Sequence, residues 1–311
     1  MLRRAIKAMA LLMLLAWAHP AAAAPRVVVT IKPLHGLVAE VMAGVGSPRM
    51  LVKGAASPHV YALKPSDIGE LHAADIFFRA SSATEPFSSK IAESLPPHVD
   101  VVTLQEAPGV VLLERRAGAG FEPHADGRRH GHGSAKTTAF DGHIWLDPDN
   151  AKAMVDRIEH VLSAKDPANA GIFRANAAAL KHKLDALSAE LQQALHPLAG
   201  KPYVVAHDAF QYLERRFGLN VVGAVSLSPD VAPSAKRLSE LRRKILSLGA
   251  ICVFAEPQVD KRLIENLTEG TLARTGTLDP EGFALEPGPN LYFTLMRKLA
   301  KDLRACLLAS T

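Results

Sequence analysis

The 311-residue chain carries 36 Lys and Arg against 31 Asp and Glu, a formal net charge of +5. Three of the positive charges, Arg3, Arg4 and Lys7, sit in an N-terminal leader, so the rest of the chain is close to neutral, and no Lys/Arg stripe interleaved with aromatics points to nucleic acid as a partner. Without that leader, roughly 285 residues are ample for a core and, by length, suggest two domains.

After its basic residues the leader continues with an apolar run from Met9 to Ala18 and a small-residue series from Ala21 to Ala24. This is the layout of a cleavable signal peptide, expected over residues 1–23. The apolar run is too short to cross roughly 30 Å of hydrocarbon, and no later run approaches that length. No cysteine stands near the expected cleavage point, so a lipid anchor is not expected, and a soluble periplasmic protein fits best.

Further along, RVVVTI (26–31), RMLV (49–52), ADIFF (74–78) and DVVTL (100–104) read as buried strands, with helices expected after Pro33, Pro65 and Pro86. That alternation predicts an N-terminal α/β domain with a parallel sheet, over 24–166. The longest helical pattern follows. Asp166 reads as an N-cap with Pro167 at the first helical position, and Leu180, Leu184, Leu187, Leu191 and Leu195 recur at spacings of four, three, four and four. His196-Pro197 ends it. A rod of roughly 42 Å, from about 28 residues at 1.5 Å each, would serve as a rigid linker helix over 167–197. With no Gly/Ser hinge, a small tilt is expected rather than a wide closure. YVVAH, LNVVGA and AICVFAE then repeat the strand pattern around the helical segment SAKRLSELRRKILSLG, predicting a second α/β domain over 198–311.

Only two cysteines occur, Cys252 in the apolar run AICVFA and Cys306 in the last helical segment. In an exported protein such a pair is expected to form a disulfide, the alternative being two buried free thiols.

Three histidines stand in local sequences that would hold a side chain still: His59 in SPHVYALKPSD, His143 in DGHIWLDP and His207 in YVVAHDAF. Asp279 in GTLDP is a fourth candidate. His207 ends a strand, Asp279 follows a short strand-like TGTL, and His59 lies in the loop after RMLV, the positions where open α/β sheets bind ligands. With two candidates in each half, a tetrahedral metal site would lie in the cleft between them.

SPHVYALKPSD, DGHIWLDP, VVAHDAF, AEPQ and GTLDP, in this order, resemble the metal-binding proteins of bacterial ABC importers for zinc and manganese, over essentially the whole mature chain, and the zinc-uptake branch most. The resemblance implies two α/β domains joined by a long rigid helix, with the metal held between them and delivered to an inner-membrane permease. Manganese members usually carry a carboxylate where this chain has His207. A third nitrogen donor favours zinc. Some zinc members place a glutamate before the first histidine; here that position is Pro58, which leaves Asp279 or water as the fourth ligand. Glu256 in AEPQ is a candidate to orient a ligand through a hydrogen bond, packing at the strand end being the alternative.

The stretch from about 117 to 138 lacks hydrophobic periodicity and holds His124, His130 and His132 in EPHADGRRHGH. It reads either as an auxiliary metal-capture loop, giving a weak second site, or as a solvated loop. His35, His72, His98, His160, His182 and His196 have no matching partner and are not expected to bind the principal metal. The leading function is therefore that of a monomeric Zn2+ carrier. Its rivals are a manganese carrier of the same family and an exported zinc hydrolase, which would need an open metal position and lacks an HExxH helix or an evident general base. An adhesin-like role is weaker still.

Overall fold

The computed structural model describes residues 23–309 apart from residue 55, residues 117–139 and 228–231, and residues 250 and 260. The leader and the three histidines of the His-rich segment, His124, His130 and His132, lie outside the described residues. Two four-stranded parallel sheets with helices make up the fold. In the first, β1 (Val27–Val29), β2 (Arg49–Met50), β3 (Ile76–Arg79) and β4 (Asp100–Thr103) are ordered β2-β1-β3-β4. β1 is three buried valines and β3 opens with buried Ile76, Phe77 and Phe78, the near-continuous apolar runs that a central parallel strand requires on both faces. In the second sheet, β5 (Pro202–His207), β6 (Asn220–Ser226), β7 (Cys252–Ala255) and β8 (Arg274–Thr277) are ordered β6-β5-β7-β8. The two halves thus repeat one topology, and in each the order reverses between the first and third strands.

Helices α1 (Lys32–Val41), α2 (Pro65–His72) and α3 (Phe87–Ser94) belong to the first half; α4 (Pro148–Lys165) and α5 (Ala170–Leu195) form the spine; α6 (Gln211–Phe217), α7 (Ala235–Leu248), α8 (Lys261–Thr268) and α9 (Leu291–Leu307) belong to the second. Proline opens α1, α2 and α4 within their first two positions, where its missing N–H costs nothing. The long helix α5 begins later than the sequence suggests. Asp166 ends α4, and its carboxylate receives the backbone N–H and side-chain amide of Asn169, so it caps a tight turn and Pro167 lies outside the helix. The long helix has 26 residues, and Phe173, Ala177, Leu180, Leu184, Leu187, Leu191 and Leu195 make its buried stripe.

That stripe joins the halves. One core cluster runs from Val29 and Phe78 through Leu184 and Leu191 to Val205 and Phe254, and α9 packs against both α1 and α5. Cys252 of β7 and Cys306 of α9 form a disulfide with Cα atoms 6.2 Å apart, tying the second sheet to this helix. Among the described residues no helix is long and apolar enough to cross a membrane.

Candidate metal centre

His207 is the last residue of β5, at the point where strand order reverses in the second sheet. His143 precedes a single turn of 3-10 helix formed by the buried Ile144, Trp145 and Leu146, and its ring lies 5.3 Å from the Trp145 ring, centroid to centroid. Between it and Asp141 stands Gly142, where a Cβ would run into the Ser81 hydroxyl and the Thr84 methyl, so only glycine lets the segment lie this close. His59 sits in the short turn Pro58–Val60, whose backbone is fixed by Ser57 Oγ accepting from the His59 N–H at 3.3 Å. These three elements, distant in sequence, bring the imidazoles to centroid separations of 5.2 to 5.6 Å, with one nitrogen from each lying within 4.8 Å of the others.

Two carboxylates decide which nitrogens face the centre. Asp141 Oδ1 lies 2.7 Å from His143 Nδ1 and also receives the His143 backbone N–H at 3.0 Å. Glu256 Oε1 stands 2.5 Å from His207 Nδ1 and receives that residue's N–H at 3.2 Å. An ionised carboxylate only accepts, so each Nδ1 carries the proton and each Nε2 is left with a bare lone pair in the neutral ring. These Nε2 atoms face one another at 3.3 Å. The buried Nε2 of His59 has no hydrogen-bond partner. Lone pairs turned toward one point repel unless a cation lies between them. Two nitrogens each about 2.0–2.1 Å from a tetrahedral zinc would be roughly 3.3 Å apart, the spacing found here.

Burial is the main force on His59, and with the charges of His143, His207 and Arg115 it drives that imidazole down to about 2, so it stays neutral. His207 moves the other way. Burial opposes its charge most, but the carboxylates of Glu256, Asp141 and Asp208 together outweigh it, Glu256 foremost, and its affinity for a proton is raised. A cavity of about 30 Å³ opens on His59 and His143, room for an ion or a water and not for an organic ligand.

Asp279 is not part of the three-histidine cluster. Its Oδ1 accepts the backbone N–H groups of Gly282 at 2.8 Å and Glu281 at 3.2 Å, and Phe283 and Ala284 also donate to the carboxylate, so the side chain caps its own turn. That turn is held from the first half: Lys32 Nζ donates to the carbonyls of Gly282, Phe283 and Leu285, and Trp145 Nε1 donates to the Pro280 carbonyl at 2.8 Å. Glu256, singled out in the sequence, takes the orienting position beside His207. Asp141 was not singled out, although the DGH spacing is its signal. Arg116, which reaches across the interface to Asp208 and Glu214, has no local signal at all. His35 is buried and bonded to the Pro48 carbonyl, away from the cluster.

The family model described as zinc-uptake complex component A, periplasmic, matches residues 27–306. The high-affinity zinc uptake system protein ZnuA of Brucella abortus (strain 2308) is 42% identical over 304 residues, covering 90% of this chain and 91% of that protein. Among solved structures, a mutant of the laminin-binding adhesin Lmb of Streptococcus agalactiae superposes with a TM-score of 0.75 at 26% identity, over 91% of this chain and 99% of that one. The Zn(II)-bound ZnuA-like domain of Streptococcus pneumoniae AdcA superposes with a TM-score of 0.70 at 26% identity, over 91% and 98%.

Proposed function

Because this chain belongs to the ZnuA family of periplasmic zinc-uptake components, we propose that it captures one Zn2+ on His59, His143 and His207 between its two halves and delivers it to an inner-membrane ABC permease. The observation that carries this reading is the convergence of bare imidazole nitrogens, two of them 3.3 Å apart and each locked by a carboxylate behind it. Asp141 and Glu256 supply negative charge next to the cation without ligating it, which offsets the double charge that three neutral imidazoles leave uncompensated. The engagement of Asp279 by its own turn favours water as the fourth ligand. Three nitrogen donors favour zinc over manganese.

The family is one of transport components and not of enzymes, so the hydrolase reading falls away. In the cell the chain acts as a monomer, freed of its leader at about residue 23 and without a lipid anchor. The His-rich segment with His124, His130 and His132 adds a weak, auxiliary capture site. Release follows from docking: a small tilt of the halves on the permease would separate His59 and His143 from His207, and the shared core along α5 favours such a tilt over a wide opening.

Metal analysis of chain purified from the periplasm, followed by competition between Zn2+ and Mn2+, tests the reading. One tightly held zinc per chain, lost on His207→Ala, is expected. Preference for manganese, or undiminished zinc in the variant, would overturn it.

A further inference from the structure

Glu114 and Phe140 pair in a short antiparallel bridge two residues before Arg116 and one before Asp141. This bridge lies on α6 of the other half. The Tyr212 hydroxyl accepts from the Leu113 N–H at 3.1 Å and donates to the Asp141 carbonyl at 2.7 Å, and Gln211 Nε2 donates to the Glu114 carbonyl. The segment that carries Asp141, and through it His143, is thereby seated on the second half.

Arg116 extends this seat to the other histidine. Its guanidinium donates from Nη1 to Asp208 Oδ1 at 2.8 Å and from Nη2 to Glu214 Oε2 at 2.7 Å, with a longer Nη1 bond of 3.2 Å to Glu214 Oε1. Asp208 follows His207 directly, and both carboxylates are almost wholly buried, at 7% and 9% exposure. Two buried carboxylates on one half need a cation from outside, and the planar fork of an arginine meets both at once.

We propose that Arg116 is a positioning residue for zinc capture: its clasp on Asp208 and Glu214 holds His207 in register with the Asp141–His143 side of the interface. The inference rests on the zinc-carrier reading and adds what keeps the ligands from the two halves together. Without the clasp the two carboxylates require water, which enters by parting the halves beside the metal. The ligands remain but their spacing loosens.

The test uses the full mature chain and four variants: Arg116→Gln, Arg116→Lys, Glu214→Gln and the double Arg116→Gln/Glu214→Gln. Zinc dissociation into a competing chelator and the visible d–d spectrum of the Co2+-substituted protein are measured, with folding followed by circular dichroism. Arg116→Gln is expected to release zinc about 10- to 100-fold faster and to alter the Co2+ spectrum, as loss of an orienting partner does. Arg116→Lys keeps a charge but not the fork and falls between. The double variant should release zinc no faster than Arg116→Gln alone, since both changes break one clasp. Arg297→Gln, which removes an exposed ion pair with Glu190, is the control and should match wild type. A wild-type release rate and Co2+ spectrum in Arg116→Gln overturn the proposal while leaving the carrier reading intact; if Arg116→Gln does not fold, wild-type behaviour in both Arg116→Lys and Glu214→Gln does the same. Failure of wild type to bind zinc would instead remove the carrier reading itself.

Discussion

Glu256 Oε1 lies 2.5 Å from Nδ1 of His207, so a carboxylate at the end of β7 fixes the ring at the end of β5, its neighbour in the sheet. The contact sets the tautomer and makes Nε2 a stronger donor to a metal. Glu256→Gln keeps the shape but can present an N–H to Nδ1, which favours the tautomer with the proton on Nε2. Zinc affinity at pH 7.5 should fall about 10- to 100-fold, measured by competition with a chromophoric chelator. An unchanged affinity would mean that the contact is packing at a strand end and nothing more.

The same pair governs the response to acid. Ligation needs neutral imidazoles, so protons compete with zinc. His207, whose proton affinity is raised despite burial because Glu256 faces it, competes at pH values above the ordinary histidine value of 6.5. His59, pushed down to about 2 chiefly by burial, adds no competition in that range. Apparent zinc affinity should therefore decline as pH falls from 8 to 6. In Glu256→Gln the main cause of the upward shift is gone, so its decline should begin at lower pH and the gap from wild type should narrow in acid. Parallel curves for the two proteins would contradict this account of His207.

Asp279 separates a ligand from a cap. Asparagine at this position still offers Oδ1 to the N–H groups of Glu281 and Gly282, which the native carboxylate holds at 3.2 and 2.8 Å, but it loses the charge. If water completes the zinc shell, Asp279→Asn should weaken zinc by less than about tenfold and leave the Co2+ spectrum almost unchanged, whereas loss of a direct ligand should exceed the range seen for outer partners. A large loss with an altered spectrum would return Asp279 to the metal.

Much of this was legible in the sequence, for physical reasons that differ by element. Central parallel strands are buried on both faces, so VVV in β1, IFF in β3 and CVFA in β7 stand out as unbroken apolar runs. His207 was placed correctly because the end of a parallel strand is a fixed point of the fold. The start of α5 differs from the sequence expectation because Asp-Pro is also a helix-stop sequence: Asp166 closes α4, and a tight turn carries the chain to Ala170 before the long helix begins. Asp141 lay within reach of local reading, since a kinked backbone lets a carboxylate two residues away meet its histidine. The Arg116 clasp did not, because its partners lie 92 and 98 residues away and only the docking of the bridge on α6 brings them together.

The disulfide gives a prediction independent of the metal. Cys252 and Cys306 are 54 residues apart, and closing a loop of that size restricts the unfolded chain by roughly 4 kcal/mol in the entropy model. The bond joins β7, whose next residues lead to Glu256, to α9, which packs on α1 and α5. Cys252→Ala/Cys306→Ala should lower the unfolding free energy of zinc-free protein by about 2–4 kcal/mol in urea titrations. Zinc binds only the folded chain, so saturating metal should restore about 3–4 kcal/mol at concentrations several hundred times the dissociation constant. Because Cys252 is the first residue of β7, beside Tyr203, while Glu256 and His207 stand at the opposite, C-terminal ends of β7 and β5, zinc affinity itself should change by less than about threefold. A double variant that stays folded yet loses zinc affinity as strongly as Glu256→Gln would show that the crosslink reaches the site through β7.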